Sequence, residues 1–508
     1  MSAGVINSPS SEVPVPTPCP LRFEPVSAFE TIRQFLRDVA FEEHELCRRL
    51  EVESLNRFRA LRHGRPATPL GDATDALIRL FLDNEPMSWS DAQRWIPAAP
   101  LEAMHSLGLL RDHRSDPRQV VSNVLLYPTE SLFMASDVAA LPEGGEAEWW
   151  DVVYAAITSN TRTFMSTIPR SRCAAFLELC AGTGVAALAA GATFADRAWA
   201  VDVTSRSTEF ARFNARLNAL DTVTAMCGDL YAPVAGMTFD RIVAHPPYVP
   251  SRQTTLVYRD GGSDGEDVTR RIIAGLPDHL GPGGSFYCTC TATDRADAPL
   301  EHRLRTMLGE RGNEFDIAVV ITNDFNPTQY YVGRAVAGRD TWQEAEAWHK
   351  HFAALDVTKM VYATVAIVRH EHAHEPYTVR RRAGSRTGGT EVAALLHAAE
   401  ISASPGALER LLDSRPVLPT HVALESTHIR EGSGWAVRTA MVSSTVPFDV
   451  RLPCPPEMIT VLARMDGTRT VRELYADLSA ADSLAEGASI DRLASYIHML
   501  ASHGFVEL

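Results

Sequence analysis

Lysine is almost missing from this 508-residue chain: Lys350 and Lys359 are its only two, and arginine carries the rest of the positive charge. There is no lysine run to act as a polybasic tail, and a formal net charge of −15 argues against a broad phosphate-binding face. The chain also lacks an apolar run of the roughly 18 to 20 residues that a membrane helix needs, and its first twenty residues have neither the basic start nor the apolar core of a signal peptide. A cytoplasmic location with no membrane partner is the expectation. The eight cysteines form no C-x-x-C pair and no Cys/His cluster at zinc-finger spacing, so spacing implies neither a disulfide framework nor a metal site. Cys288 and Cys290, flanking one threonine in an apolar stretch, read as small core residues.

What is present is an ordinary globular composition at a length that exceeds one hydrophobic core, so two to four domains are expected. Residues 1–20, rich in Ser, Pro and Val, read as a disordered tail. Residues 21–145 carry helical stripes, a helix start at Ser88-Trp-Ser-Asp91, a strand over Val120–Tyr127 and another near Ser131–Asp137, a helical, winged-helix-like order. Residues 146–375 alternate strand and helix, the pattern of a parallel sheet with crossovers. The seven strand candidates there are Ala175–Leu179, Arg197–Val201, Thr222–Cys227, Phe239–Ala244, Gly284–Thr289, Phe315–Ile321 and Met360–Val368, the last suited to a final antiparallel hairpin. The basic, glycine-rich run Arg380–Thr390 reads as a linker, and residues 376–508 as a second winged-helix-like module.

Two motifs stand at strand ends, where open parallel sheets bind ligands. In the first, Leu177-Glu-Leu-Cys-Ala-Gly-Thr-Gly184 turns sharply into a helix start, Asp202 ends the next strand, and Gly228-Asp229-Leu230 ends the third. Gly182 and Gly184 permit the turn and a close approach by a ligand, and the helix start offers unpaired N–H groups to an anion. In the second, the apolar strand Phe239–Ala244 runs into His245-Pro-Pro-Tyr248, and Arg259-Asp-Gly-Gly-Ser-Asp-Gly265 follows soon after.

Together these residues resemble the HemK/PrmC-like release-factor glutamine methyltransferases and, more broadly, the small-methyltransferase domain that also occurs in ribosomal-RNA guanine methyltransferases. The resemblance covers roughly the central 220 residues and implies a Rossmann-like, seven-stranded class I methyltransferase domain of α/β class, flanked here by the two winged-helix-like modules. It implies S-adenosylmethionine as cofactor, with S-adenosylhomocysteine as product and no metal. The implied cofactor residues are Glu178, Cys180, Ala181, Gly182, Gly184, Asp202 for the ribose, Val203, Asp229 for the adenine amino group, Leu230 and His245. The implied catalytic residues are His245, Pro246 and Tyr248: the family's Asn and first proline carbonyl accept the acceptor's two N–H protons, while the aromatic ring stacks on its plane.

This chain departs from the family at the first of those positions, where His245 replaces Asn. A neutral imidazole accepts one N–H proton, and unlike an amide it can also act as a base. The expected acceptor is therefore a nitrogen on a small molecule, peptide or protein. Methylation of an RNA base amine, or of oxygen with His245 as base, remains open, as does a noncatalytic DNA-binding regulator that retains the cofactor fold. Phe325-Asn-Pro-Thr-Gln-Tyr-Tyr331 follows the sixth strand, where class I methyltransferases place insertions over the acceptor, so Asn326, Tyr330 and Tyr331 join Tyr248 as candidate substrate contacts. Thr161–Met165 is aligned with a family segment that passes over the cofactor. Acceptor identity and oligomeric state are not encoded in any motif.

Overall fold

All seven stretches read as strands are strands in the computed structural model, most of them longer than their apolar residues indicate. The structure describes residues 18–56, 67–138, 150–251, 256–403, 406–481, 484 and 489–508, so the expected tail 1–20 falls almost wholly outside the described residues. Two compact units divide the chain: residues 1–162, 177–235 and 252–260 form one, and residues 163–176, 236–251 and 261–508 the other. This division cuts across the sequence boundaries at 145 and 375.

The first unit begins with α1 (Val26–Asp38) and α2 (Glu43–Leu50), continues through α3 (Ala73–Leu77) and a π-helical turn, then β1 (Met87–Ser88), α4 (Trp89–Trp95), α5 (Ala98–Ser106), β2 (Leu110–Asp112) and β3 (Gln119–Ser122). Helix α1 buries Phe29, Ile32 and Leu36, the i, i+3, i+7 stripe that its sequence displays. The Ser88 hydroxyl accepts the Asp91 N–H at 3.0 Å and starts α4 where the sequence places it. β3 pairs antiparallel with both β1 and β2.

The single strand expected over Val120–Tyr127 is two. β3 stops at Ser122, whose hydroxyl takes the Val124 N–H in a local turn, and β4 (Leu125–Thr129) pairs instead with β5 (Leu132–Ser136). After α6 (Ser159–Ser166) comes β6 (Cys173–Leu179), divided between the units after Phe176. Then follow α7 (Val185–Thr193), β7 (Ala195–Asp202), α8 (Ser205–Leu217) and β8 (Val223–Cys227), with β7 and β8 parallel.

Helix α8 fastens β5 by side-chain mimicry of a strand. The amides of Asn214 and Asn218 each accept a backbone N–H and donate to the carbonyl of the same residue, Ala135 and Phe133 respectively, at 2.7 to 3.0 Å. About two turns before Asn214, Arg206 forms a bidentate pair with Asp137, both carboxylate oxygens engaged at 2.6 and 2.8 Å and both side chains essentially removed from water.

In the second unit β9 (Phe239–Ala244) runs parallel to β10 (Leu280–Arg295), preceded by α9 (Asp267–His279) and followed by α10 (Leu300–Met307). β11 (Phe315–Phe325), α11 (Pro327–Val336), α12 (Trp342–Ala354) and β12 (Val357–Arg369) come next, and β12 lies antiparallel between β10 and β11. That insertion is the antiparallel hairpin the sequence predicts, but the sheet does not stop there. β13 (Thr378–Ala383) adds in parallel to β11, so Arg380–Thr390 is not a linker. Its arginines look solvent-bound in sequence, yet Arg380 is neutralised by Asp294 and Glu301, and Arg382 by Asp324.

Beyond α13 (Gly389–Ala403) and α14 (Ala407–Asp413), β14 (Ala423–Glu431), β15 (Gly434–Ser444) and β16 (Phe448–Cys454) form an antiparallel ladder that joins β13 through β16. The expected seven-strand count is therefore exceeded. Helices α15 (Met458–Leu462), α16 (Val471–Ala480) and α17 (Ile490–Ser502) follow, burying Leu474, Leu478, Leu493, Ile497 and Leu500 in one cluster with Phe505. No described helix is long and apolar enough to cross a membrane.

Candidate active site

In the first unit the glycine turn has the shape its sequence predicts. Cys180, Gly182 and Gly184 all have positive φ, at 55°, 52° and 77°, so the chain reverses within five residues between β6 and α7. A Cβ at Gly184 would meet Leu188 and Ala211 at 2.9 and 3.0 Å, which explains that glycine by packing. Gly182 is different: a Cβ there would meet nothing within 4 Å, so open space lies over its backbone and packing does not explain it. Ala181 is held down by its N–H bond to the Val201 carbonyl at 3.1 Å, and Thr183 by the Asn214 amide at 3.1 Å.

Two carboxylates stabilise this turn. Glu178, fully buried, accepts the Ala187 N–H of α7 at 2.8 Å, and burial pushes its carboxyl up to about 8. Asp202 accepts the Gly182 N–H at 2.9 Å through one oxygen and the Thr204 N–H and hydroxyl at 3.0 and 3.1 Å through the other. Its carboxyl is also shifted upward by withdrawal from water, against those hydrogen bonds. The Ser207 hydroxyl adds a further hydrogen bond to this carboxylate. Next to it, Val203 exposes 52% of its surface, an uncovered apolar side chain at a strand end. Leu230 is half-buried with φ 48° and Asp229 is exposed.

The second unit holds the other motif. The Ala244–Cys288 pair ends the β9–β10 ladder, and His245 is the next residue out. Its ring lies on that of Phe164, centroids 5.2 Å apart and 19° from parallel, with Tyr248 on another side at 5.7 Å. His245 Nε2 is buried and makes no hydrogen bond among the described residues, and burial pushes the imidazole down to about 4. Leaving such an atom unpaired costs about 1 to 3 kcal/mol, so its retention calls for a functional reason. Tyr362, on β12, presents its edge to Tyr248 at 6.0 Å, and its buried hydroxyl makes no hydrogen bond of good geometry.

The Asp-Gly-Gly-Ser-Asp-Gly segment supports this loop from behind. A Cβ at Gly261 would strike the Pro247 carbonyl at 2.6 Å, and one at Gly265 the Tyr248 carbonyl at 2.5 Å. Only glycine permits backbone to lie on backbone so closely. Gly261 N–H bonds Val249 O at 2.9 Å and Ser251 N–H bonds Gly262 O at 2.8 Å. The segment is anchored by Asp264 to Arg270 and Arg295, and by Glu266 to Thr293 and Arg303.

The remaining sequence candidates lie on and around α11. Asn326 caps α11 by accepting the Gln329 N–H at 3.0 Å, and Tyr331 stacks on Trp348 of α12 at 5.1 Å. Tyr330 stays 45% exposed. Within Thr161–Met165, Phe164 stacks on His245. Phe164 and Tyr362 were missed as acceptor-loop residues, since nothing in a strand or helix pattern links positions 164, 245 and 362.

The family model for the methyltransferase small domain matches residues 153–317, a span that holds both motifs. This segment is similar to that family. The chain is 37% identical over 124 residues to a ribosomal protein uL3 glutamine methyltransferase of Bradyrhizobium diazoefficiens, covering 22% of this chain and 39% of that one. It is 34% identical over 121 residues to a release factor glutamine methyltransferase of Gloeobacter violaceus, covering 21% and 42%. The chain thus spans about two fifths of the length of these curated relatives. A solved ribosomal protein L11 methylase from Lactobacillus delbrueckii subsp. bulgaricus superposes on 42% of this chain and 81% of its own at 19% identity and a TM-score of 0.25. The matched segment resembles the S-adenosylmethionine-dependent class, and its turn fits that cofactor: open space over Gly182, a helix start for a carboxylate, and the Asp202 carboxylate at the end of β7.

Proposed function

We propose that the chain methylates a nitrogen of a protein or peptide side chain, with S-adenosylmethionine as donor and His245-Pro246-Pro247-Tyr248 orienting the acceptor. The observation that carries this reading is the buried, unpartnered Nε2 of His245 one residue beyond the end of β9. With its proton on Nδ1, the imidazole offers Nε2 as acceptor for an N–H of the substrate. Pro246 would supply a carbonyl to a second N–H, Tyr248 a stacking surface and Tyr362 a further polar contact. Glu178, Cys180, Ala181, Gly182, Gly184, Asp202, Val203, Asp229 and Leu230 would hold the donor, Val203 and Leu230 through apolar contact with its adenine. The bound donor supplies an activated methyl group on sulfur.

The nitrogen gains the methyl group and loses a proton, and the residues decide only how it is aimed. An imidazole pushed down to about 4 is a poor base near neutrality, so His245 positions the nitrogen and the released proton passes to water. The same value argues against oxygen methylation with His245 as base. The named substrates of the relatives, a ribosomal protein and a release factor, favour a protein acceptor here, and the net charge of −15 disfavours RNA. Residues 21–145 we read as a winged-helix-like module serving substrate access, and Asn326, Tyr330 and Tyr331 as further substrate contacts, Tyr330 on its exposure.

A cell extract incubated with the protein and methyl-labelled S-adenosylmethionine tests this. Label should enter a protease-sensitive, nuclease-resistant fraction. Label that nuclease releases would overturn the protein acceptor, and absence of S-adenosylhomocysteine binding by calorimetry would overturn the enzyme reading altogether.

A further inference from the structure

A second cluster of chemistry-bearing side chains lies in the second unit, away from the acceptor loop. His370 Nε2 and His374 Nε2 each stand 2.9 Å from one oxygen of the Asp316 carboxylate, and the three ligand atoms fall within 4.8 Å of one another. The side chains are 5%, 10% and 2% exposed in that order. The two imidazoles stack at 3.7 Å between centroids, so both approach the carboxylate from one side.

The hydrogen-bond ledger of His374 is what singles the cluster out. Its Nδ1 faces the His372 carbonyl at 3.1 Å, and a carbonyl only accepts, so Nδ1 carries the hydrogen. In the neutral ring Nε2 then carries a lone pair, and it points at a carboxylate oxygen that also only accepts. Two acceptors at 2.9 Å repel unless a positive charge lies between them, which either a second ring proton or a metal ion supplies. An imidazole oriented by a carbonyl on one nitrogen, with the other nitrogen converging on a carboxylate, is the arrangement metal-binding histidines adopt. The Asp316 carboxylate is itself oriented by the Tyr377 N–H at 2.7 Å. The two 2.9 Å distances are to different carboxylate oxygens, and ligands at roughly 2.0 to 2.2 Å from a shared ion stand about 2.9 Å apart at a right angle, so an ion reached by both imidazoles would lie against the two-oxygen edge of the carboxylate.

We propose that Asp316, His370 and His374 bind one divalent transition metal, zinc by preference, as a structural site. Two imidazoles and one carboxylate select zinc, cobalt or nickel over calcium or magnesium. The Arg305 guanidinium, which bonds the Phe315 and Tyr377 carbonyls, places positive charge near Asp316, so binding relies on nitrogen donors and not on pooled negative charge. The role is structural by position. Asp316 is the second residue of β11, His370 follows the last residue of β12, and Tyr377 immediately precedes β13, so the ion closes the 370–377 loop over three strand ends. Ser285 pairs both with Val368 near the end of β12 and with Arg241 near the start of β9, which puts the cluster at the opposite end of β9 from His245. Nothing in this proposal depends on the methyltransferase reading.

The full chain, stripped with chelator and confirmed folded by circular dichroism, is titrated with cobalt(II) and then with zinc. One equivalent of cobalt should give visible ligand-field absorption that zinc abolishes, and zinc should raise the melting temperature. Asp316→Asn and His374→Gln should weaken binding at least about a hundredfold, since even outer contacts to metal ligands are worth 10- to 100-fold. His372→Gln, which keeps the backbone carbonyl, should bind as wild type. Folded wild-type chain that takes up no cobalt overturns the proposal, whatever the variants do. Stoichiometric binding that survives both ligand substitutions overturns it as well.

Discussion

Replacing His245 by Ala and by Asn separates the two roles an imidazole can play in the acceptor loop. The buried Nε2 makes no bond within the described protein, so in the proposed role its hydrogen bond is to substrate, and losing it in a water-poor site would cost about 1.5 to 3 kcal/mol. That corresponds to a drop of roughly 10- to 150-fold in kcat for His245→Ala, with S-adenosylhomocysteine affinity nearly unchanged. Asn returns an amide oxygen and should retain most of the activity, within about tenfold of wild type. The pH profile gives the second readout. Because burial pushes the imidazole down to about 4, the ring is neutral throughout pH 5 to 8 and the rate should show no inflection near an ordinary histidine value of about 6.5. Folding stability should follow the same shift. Between about pH 6.5 and 4 the unfolded chain binds a proton that the folded chain refuses, so the contribution is fully present above 6.5 and is lost as pH falls through about 4. The difference of about 2.5 pH units is of order 3 kcal/mol, and His245→Asn should remove this slope from urea titrations. An inflection near 6.5 that vanishes in His245→Asn, or wild-type turnover in His245→Ala, would refute the positioning role.

Asp202→Ala should weaken S-adenosylhomocysteine by about 10- to 100-fold in calorimetry, since it removes a ribose acceptor and frees the Gly182 N–H at once; unchanged affinity would rule out the ribose assignment. Gly265→Ala adds a Cβ 2.5 Å from the Tyr248 carbonyl at a φ of +82°, so kcat should fall by about a hundredfold through displacement of the loop, with cofactor binding intact. Asp137→Ala strands the buried Arg206 guanidinium and should cost about 3 to 5 kcal/mol in denaturant melts, where a loss under 1 kcal/mol would contradict the burial of the pair.

Local chemistry carried far in this chain. The strand ends at Leu179, Asp202 and Ala244, the glycine turn and the start of α4 were legible because each rests on short-range rules: apolar runs, glycine at positive φ, a serine cap three residues before an aspartate. Where reading failed, long-range pairing had changed the meaning of a residue. Arg380 and Arg382 look like solvent-exposed linker residues until Asp294, Glu301 and Asp324 neutralise them in β13. Val120–Tyr127 looks like one strand until Ser122 turns the chain.

What the sequence by itself determined is the run of strands and turns that carries the two motifs, and their order, because backbone conformation and hydrophobic period are written over a few residues. What only the tertiary structure decided is which distant side chains meet. Phe164 and Tyr362 join His245 and Tyr248 across 81 and 114 positions of chain, and His370 and His374 converge on Asp316 across 54 and 58. No periodicity encodes such encounters. They follow from strand register, where a shift of one residue turns Tyr362 to the other face of the sheet and takes the Asp316 carboxylate away from both imidazoles.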